Sequence, residues 1–134
     1  METARREGIP VVRVPLEPWG VNPLNWRALL KKSALRLAWR LSARVEAPLR
    51  RPDRFVGISL QGNRAFLRLL LRVIDHLKPG TTELMVHPGY ADGDLAGWDD
   101  YTVPRAQELA ALTRPEVRER FQRGRFRLIH FGAL

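Results

Sequence analysis

The sequence predicts an α/β fold in which short strands alternate with helices and pair in parallel. Short apolar runs with sharp ends indicate the strands, and longer stretches with apolar residues at helical spacing indicate the helices. Val11–Val14, for example, is a β-branched run between Pro10 and Pro15. Because strands and helices alternate, parallel pairing through right-handed crossovers is expected. About four parallel strands are predicted, and periodicity leaves open whether they form a small open sheet or part of a barrel.

The two longest predicted helices are amphipathic. Asn25 is a suitable N-cap for a helix that runs to about Ala47, before Pro48. Its predicted buried side is formed by Trp26, Leu29, Leu30, Leu37, Ala38, Leu41 and Val45. The second helix covers Asn63–Leu77, with Phe66, Leu69, Leu70, Val73, Ile74 and Leu77 on its buried side.

The remaining elements follow the same alternation. Thr113–Glu116 reads as a capping box that starts a helix with Pro115 in its first turn and an end at Gly124. A further helix is predicted over Val103–Leu112. The other predicted strands are Phe55–Ile58, Thr82–Val86 and Arg125–Phe131.

Composition excludes several classes of function. With 134 residues and 45% hydrophobic content, the chain is long enough for one domain with a real core. It has no cysteine, which excludes disulfides, thiol nucleophiles and iron–sulfur clusters. No apolar run approaches the roughly 18 to 20 residues of a membrane span, and residues 1–7 lack the apolar core expected of a signal peptide. A cytoplasmic location is therefore expected, with attachment at a membrane periphery as an alternative.

The net charge of +9 is carried by the first part of the chain. Residues 1–79 contain sixteen Lys and Arg against six acidic residues, whereas residues 80–134 contain seven against eight. This asymmetry suggests an anionic partner. A basic stripe with neighbouring tryptophans marks the helix over residues 25–47, which could hold an anionic membrane or partner or could simply be solvated. The stripe is formed by Arg27, Lys31, Arg36, Arg40 and Arg44. Nucleic acid is not expected, since no binding motif accompanies the charge.

His87 is the candidate catalytic residue. The apolar run Leu84–Val86 predicts a buried strand that Pro88 and Gly89 cannot continue, so the histidine stands where the strand ends. Acid–base and ligand groups concentrate at such positions in α/β folds. The alternative is a histidine that only caps the strand.

Arg13 is the candidate substrate-binding residue. It interrupts the apolar run Val11–Val14, where an arginine must either leave the core or bind an anionic or hydrogen-bonding group. Near a strand end it could orient a substrate oxygen. An edge-strand arginine that reaches solvent is the alternative.

The remaining histidines and acidic residues have weaker assignments. His76 is predicted to interact with a helix C-terminus, and His130 to be a core histidine or, alternatively, to line a site. Asp92 and Asp94 could join His87 in a zinc or manganese site, or they belong to a solvated acidic loop. No phosphate-binding glycine loop, nucleophile elbow or paired-histidine motif is present.

Three sequence blocks stand out by their order and spacing. They are Gly-Ile-Pro-Val-Val-Arg at Gly8–Arg13, Thr-Glu-Leu-Met-Val-His-Pro-Gly-Tyr at Thr82–Tyr90, and Pro-Arg-x-x-Glu-Leu-x-x-Leu-Thr at Pro104–Thr113. Together they resemble the C-terminal half of the YdjC-like carbohydrate deacetylases, which include chitooligosaccharide and hopanoid-associated enzymes. The Trp-rich basic region over residues 19–54 is most similar to the hopanoid-associated branch.

The resemblance implies a partial (β/α) barrel-like fold and removal of N-acetyl groups from an amino sugar, free or lipid-linked. It also implies a divalent metal, magnesium or zinc, that activates water. His87 matches the active-site histidine of the family, an acid or transition-state stabiliser. Arg13 matches a position that lines the sugar pocket, while Arg105 and Glu108 match a block interpreted as structural. His130 matches no motif of the family.

The resemblance further implies that residues 1–134 are a single partial domain, the C-terminal half of the barrel. The metal ligands, an Asp-Asp pair and two histidine motifs, would then lie outside this chain. Half a barrel leaves unpaired strand edges, so self-association or a complementing N-terminal half is expected.

Overall fold

The computed structural model of the chain describes residues 2–22, 24–42, 49–90, 97, 99–124 and 126–134. Helices and short strands alternate along the chain, so the predicted α/β class is confirmed. The elements are α1 (Glu2–Arg6), α2 (Trp26–Ser42), β1 (Arg54–Val56), α3 (Phe66–Asp75), β2 (Thr82–Leu84), α4 (Thr102–Leu112), α5 (Pro115–Arg123) and a terminal 3-10 turn (Phe131–Ala133).

The chain packs as two compact units. The first unit contains Met1–Ile58, Gly80–Leu84 and Arg127–Leu134, and so holds α1, α2 and both strands. The second contains Ser59–Pro79 and Met85–Phe126, and so holds α3, α4 and α5. Both units are discontinuous in sequence because the chain passes from one to the other and back.

The first unit is built on a parallel pair of three-residue strands. Arg54 is in register with Thr82, Phe55 with Glu83, and Val56 with Leu84. Phe55 and Val56 are buried. The entry to β2 is fixed by the Asp53 carboxylate, whose Oδ2 accepts the Thr81 N–H at 2.7 Å. A Cβ on Gly80 would lie 2.6 Å from that oxygen, and φ there is +106°, so this turn requires glycine.

Two of the four predicted strands are not formed in the described part of the chain. Val11 makes a single parallel bridge to Arg50, and residues 126–130 have no strand partner. Backbone needs a neighbouring strand to become a strand, and Pro10 and Pro15 remove two N–H donors beside Val11–Val14. Of the four or so predicted parallel strands, the described residues thus show two, β1 and β2, and they show no barrel.

A buried ion pair connects α2 to the segment before it. The Lys32 ammonium lies 2.8 Å from Glu17 Oε2, and both side chains are fully buried. Lys32 also donates to the carbonyls of Pro18 and Val21, at 3.1 and 2.7 Å. Glu17 Oε1 accepts the N–H of Gly57, one residue past β1, at 2.8 Å.

This pairing reverses the predicted orientation of α2. Asn25 is the N-cap as expected, since its Oδ1 accepts the Ala28 N–H at 3.1 Å. The helix, however, buries Ala28 and Lys32. Of the apolar residues predicted to face the core, Leu29 is half-buried, and the others within the described part of the helix are exposed, namely Trp26, Leu30, Leu37, Ala38 and Leu41. Because an ammonium cannot be buried without its partners, the contacts of Lys32 decide which side faces inward. The predicted end of this helix, residues 43–47, lies outside the described residues.

The second unit packs α3 against α4 and α5. Helix α3 is shorter than the predicted Asn63–Leu77, since Asn63 forms a turn in which its Oδ1 accepts the Ala65 N–H at 2.8 Å. His76 caps the end of α3, with Nδ1 2.8 Å from the Arg72 carbonyl, as predicted. The buried residues of this unit include Phe66, Leu69, Leu70, Ile74, Ala111 and Val117.

The predicted capping box is wrong, although Pro115 does stand at the start of α5 and the helix stops at Gly124. Thr113 is the C-cap of α4, and its hydroxyl donates back to the carbonyls of Leu109 and Ala110 at 3.0 and 3.2 Å. The N-cap of α5 is Arg114, without a side-chain cap. A threonine between two adjoining helices can cap either one, and Thr113 caps the C-terminus of α4.

We expect Lys32→Met to lower the free energy of unfolding by about 3–5 kcal/mol, because it leaves the Glu17 carboxylate buried without its cation. The matched control is Arg40→Met, which removes an exposed cation from the same helix. Urea unfolding followed by circular dichroism measures both. Equal effects of the two substitutions would contradict a structural role for the buried pair.

Candidate functional site

His87 lies three residues beyond the end of β2, which stops at Leu84 and not at the predicted Val86. Its backbone N–H donates to Oε2 of Glu108 at 2.6 Å. Glu108 belongs to α4 and is only 1% exposed. The His87 N–H therefore bonds to a helix side chain and not to another strand, and β2 ends before the predicted Val86.

The second oxygen of the same carboxylate holds Tyr101, the residue before α4. The Tyr101 hydroxyl donates to Glu108 Oε1 at 2.7 Å. Its ring stands edge-on to the His87 imidazole, with centroids 5.8 Å apart. Burial raises the pKa of the Tyr101 hydroxyl well above its usual range, and the bond to the Glu108 carboxylate raises it further. Tyr101 is thus a neutral donor that the carboxylate keeps beside the imidazole.

Arg105 holds the other end of the His-Pro-Gly segment. Its backbone carbonyl accepts the Gly89 N–H at 3.3 Å. Its side chain donates from Nε and Nη2 to Oδ2 of Asp99, at 3.0 and 2.5 Å, and the guanidinium lies 5.8 Å from the Tyr101 ring centroid. The bond from Arg105 is the main reason that the pKa of Asp99 is lowered, followed by the Tyr101 N–H. The two blocks over Thr82–Tyr90 and Pro104–Thr113 are thereby joined.

The His87 ring, unlike the His87 backbone N–H, has a nitrogen without a described hydrogen bond. Its Nδ1 is buried and has no hydrogen-bond partner within the described residues. Leaving a buried polar atom unpaired costs about 1–3 kcal/mol, so such an atom requires an explanation. The residue as a whole is partly exposed, so the imidazole, and not the hydrogen-bonded main chain, is the part of His87 that can meet a ligand.

Arg13 belongs to the first unit and is bound by a carboxylate. Its Nε donates to Oε1 of Glu83, the middle residue of β2, and its guanidinium lies 5.9 Å from the Phe55 ring centroid. The Arg13 side chain is half exposed, whereas Glu83 is buried, with its Oε2 unpartnered among the described residues. Arg13 is therefore neither a simple solvated arginine nor a core residue. Its guanidinium is partly exposed, and the Glu83 carboxylate fixes its orientation.

The other candidate residues do not join His87. His130 is exposed, and its Nδ1 accepts the Gly132 N–H at 3.1 Å in the terminal turn, so the prediction of a core histidine is wrong. Asp92 and Asp94 lie outside the described residues. Within the ranges that the structure describes, no three His, Asp or Glu side chains converge as a metal site would require. The residues described in this structure therefore do not fit a metal centre.

In the sequence, Glu108 belongs to a block interpreted as structural, and no pattern points to Tyr101. A signal for Glu108 was present, because helical spacing places it on the same face as Ala111, which is buried. A glutamate on the core side of a helix needs donors, and these are a backbone N–H and a phenol. Tyr101 carries no comparable signal, since it precedes the helix.

We expect Glu108→Ala to destabilise the chain by about 3 kcal/mol, because two donors then lose a charged acceptor. Glu108→Gln keeps one acceptor and should fall between wild type and Glu108→Ala. The matched control is Glu116→Ala, whose carboxylate pairs with Arg114 on the surface and should contribute about 0.5 kcal/mol or less. Amide hydrogen exchange at His87 should accelerate only in the Glu108 variants. Unchanged protection at His87 in Glu108→Ala would refute the contact.

We expect the Tyr101 hydroxyl to ionise well above pH 10, the usual range of tyrosine. A raised folded-state pKa favours the protonated native form, so this contribution to stability is present below about pH 10 and is lost as pH rises beyond it. In Tyr90→Phe, Tyr101 is the one remaining tyrosine, so phenolate absorbance reports on it alone. Adding Glu108→Gln should move the transition to lower pH. A transition near pH 10 with no response to Glu108→Gln would show that the bond is absent.

No helix in the described part of the chain has the length and apolar character needed to cross a membrane.

Comparison with known proteins agrees with the resemblance seen in the sequence. A carbohydrate deacetylase of Clostridium beijerinckii is 32% identical over 79 residues, which cover 59% of this chain and 31% of that protein. A carbohydrate deacetylase of Geobacillus stearothermophilus is 42% identical over 74 residues, which cover 54% of this chain and 28% of that protein. The matched region is thus about a third of these relatives. No solved structure matches the chain. Since the profile of the YdjC-like protein family matches residues 1–123, the chain belongs to that family.

Proposed function

We propose that this chain forms part of the active site of a carbohydrate deacetylase that removes the acetyl group from an N-acetylated amino sugar. The observation that carries the proposal is a partly exposed imidazole, with Nδ1 unpartnered among the described residues, on a segment that α4 binds at His87 and at Gly89. Membership of the family, whose matched relatives are named carbohydrate deacetylases, gives the reaction class.

Hydrolysis of an N-acetyl group needs a proton for the departing amine. Histidine is suited to this step because its charge changes near neutral pH. In the proposed reaction, water adds to the acetyl carbonyl and its proton passes to solvent. The C–N bond then breaks as protonated His87 delivers its proton to the sugar nitrogen, and the neutral imidazole regains a proton from solvent. Acetate and the free amino sugar are the products. His87 is the residue to which we assign this proton transfer.

Three neighbours would position His87 and would not react themselves. Glu108 fixes the His87 backbone, and Arg105 fixes Gly89 two residues later. The Tyr101 ring forms one wall beside the imidazole and stays un-ionised at working pH because of its raised pKa. A catalytic group held in this way loses little freedom when it engages a substrate, which favours a reactive geometry.

Arg13 is proposed as a sugar contact. Glu83 binds only its Nε among the hydrogen bonds described for this arginine, which leaves the two terminal Nη groups as donors. Several N–H groups in a fixed plane suit the hydroxyl and carbonyl oxygens of an N-acetylated sugar. The carboxylate would then determine how the guanidinium is presented to the substrate.

The complete site is proposed to include polypeptide beyond the described residues. The magnesium or zinc ion implied by the resemblance would take its ligands there, and no step assigned to His87 passes through it. In the same proposal, Val11–Val14 and residues 126–131 become strands when neighbouring strands of a barrel pair with them. The substrate would be a chitooligosaccharide-like or hopanoid-linked N-acetylglucosamine, and the enzyme would act in the cytoplasm or at a membrane periphery.

Binding of a chitooligosaccharide tests the role of His87 without requiring turnover. We expect N,N′-diacetylchitobiose to shift the imidazole resonances of His87 in NMR spectra of the 134-residue chain, and the deacetylated disaccharide to do so less. His76 and His130 are internal controls because they lie at helix and turn ends. His87→Gln assigns the signal.

Two outcomes would count against the proposal. Equal shifts at all three histidines, or none at His87 with the sugar in large excess, would remove His87 from the site. Acetate release is the second measurement, and the chain alone is expected to give none with magnesium or zinc added. Activity of the isolated chain would show that it needs no further polypeptide.

A further inference from the structure

We propose that one face of α2 docks on the surface of a membrane that contains anionic lipids. The face, referred to below as the α2 stripe, consists of Trp26, Leu30, Leu37 and Leu41. This inference is independent of the proposed deacetylase activity, since it rests on different residues.

The α2 stripe is apolar and highly exposed. The exposed fractions are 63% for Trp26, 59% for Leu30, 59% for Leu37 and 74% for Leu41. Spacings of four, seven and four residues place all of them on one side of an α-helix. Single exposed apolar residues are ordinary on protein surfaces, but four large ones on one side of one helix indicate an interaction site.

The rotation of α2 is fixed, so the stripe cannot turn inward. Ala28 and Lys32 lie two and six positions after Trp26, on the opposite side of the helix at about 100° per residue. Lys32 is bound there by Glu17 and two carbonyl oxygens. Turning the stripe toward the core would expose apolar Ala28 and break a buried ion pair.

The charges around the stripe identify the partner. Helix α2 contains no acidic residue, and exposed cations flank the stripe on both sides, Arg27 and Lys31 on one and Arg40 on the other. The Arg27 guanidinium lies 5.5 Å from the Trp26 ring centroid. Tryptophan and arginine together suit the boundary between headgroups and acyl chains, and basic flanks attract anionic lipids. A second protein chain would not require cations alone on both sides.

Vesicle binding tests the proposal with the 134-residue chain. We expect co-sedimentation with vesicles of equal parts phosphatidylglycerol and phosphatidylcholine, and little with phosphatidylcholine alone. Leu30→Gln/Leu37→Gln should weaken binding about tenfold or more, because interfacial affinity scales with buried apolar area. Glutamine forms helices about as well as leucine, so the fold should persist, and circular dichroism checks this.

The matched control removes exposed apolar side chains elsewhere. Leu128→Gln/Val103→Gln changes two residues that are 76% and 61% exposed and outside the stripe, and it should bind like wild type. Arg27→Gln and Arg40→Gln should each lower affinity for the anionic vesicles about fivefold. In Trp19→Phe/Trp39→Phe/Trp98→Phe, the remaining Trp26 should be quenched by brominated acyl chains.

Three results would overturn the proposal. One is unchanged vesicle binding after Leu30→Gln/Leu37→Gln. Another is an equal loss in the Leu128→Gln/Val103→Gln control. The third is a wild-type dimer in sedimentation velocity that Leu30→Gln/Leu37→Gln converts to monomer while neither protein binds vesicles, which would assign the stripe to a second copy of the chain.

Discussion

Both units depend on the same kind of interaction. In each, a buried carboxylate accepts a backbone N–H from the segment that follows a strand. Glu17 binds the N–H of Gly57 after β1, and Glu108 binds the N–H of His87 after β2. Neither carboxylate reaches solvent. A buried charge is tolerated only when its oxygens are satisfied, so Lys32 and Tyr101 complete the two sites. Each glutamate thereby ties the exit from a strand to a helix.

These contacts explain how very short strands can position a functional residue. A pair of three-residue strands supplies few hydrogen bonds and is marginal on its own. In the second unit the path of the chain after β2 is determined instead by α4, through the Glu108 side chain and the Arg105 carbonyl. The bond to Glu108 is charge-assisted, and such bonds are shorter and stronger than neutral ones. The geometry at His87 is therefore set more by a helix than by the sheet.

The features that could be predicted from the sequence are those set by neighbouring residues. The Asn25 cap, the positions of β1 and β2 within about two residues, and the interaction of His76 with the end of α3 all follow from local chemistry. The orientation of α2 does not, because it depends on Lys32 meeting Glu17 across a connecting segment. The network around His87 likewise depends on a glutamate 21 residues further along the chain. Short apolar runs predict strands at Val11–Val14 and 125–131, but a strand also needs a neighbouring strand to pair with, which such a run does not provide.

The attachment of the His-Pro-Gly segment to α4 has a dynamic consequence. His87 and Gly89 both hydrogen bond to residues of one helix, three positions apart. A loop held in this way cannot open by itself, since releasing either end breaks a contact with an element that packs against α3. Opening events in folded proteins involve such cooperative groups of residues. His87 should therefore move together with α4. How long the imidazole keeps its position then depends on the stability of that helix and not on the flexibility of a loop.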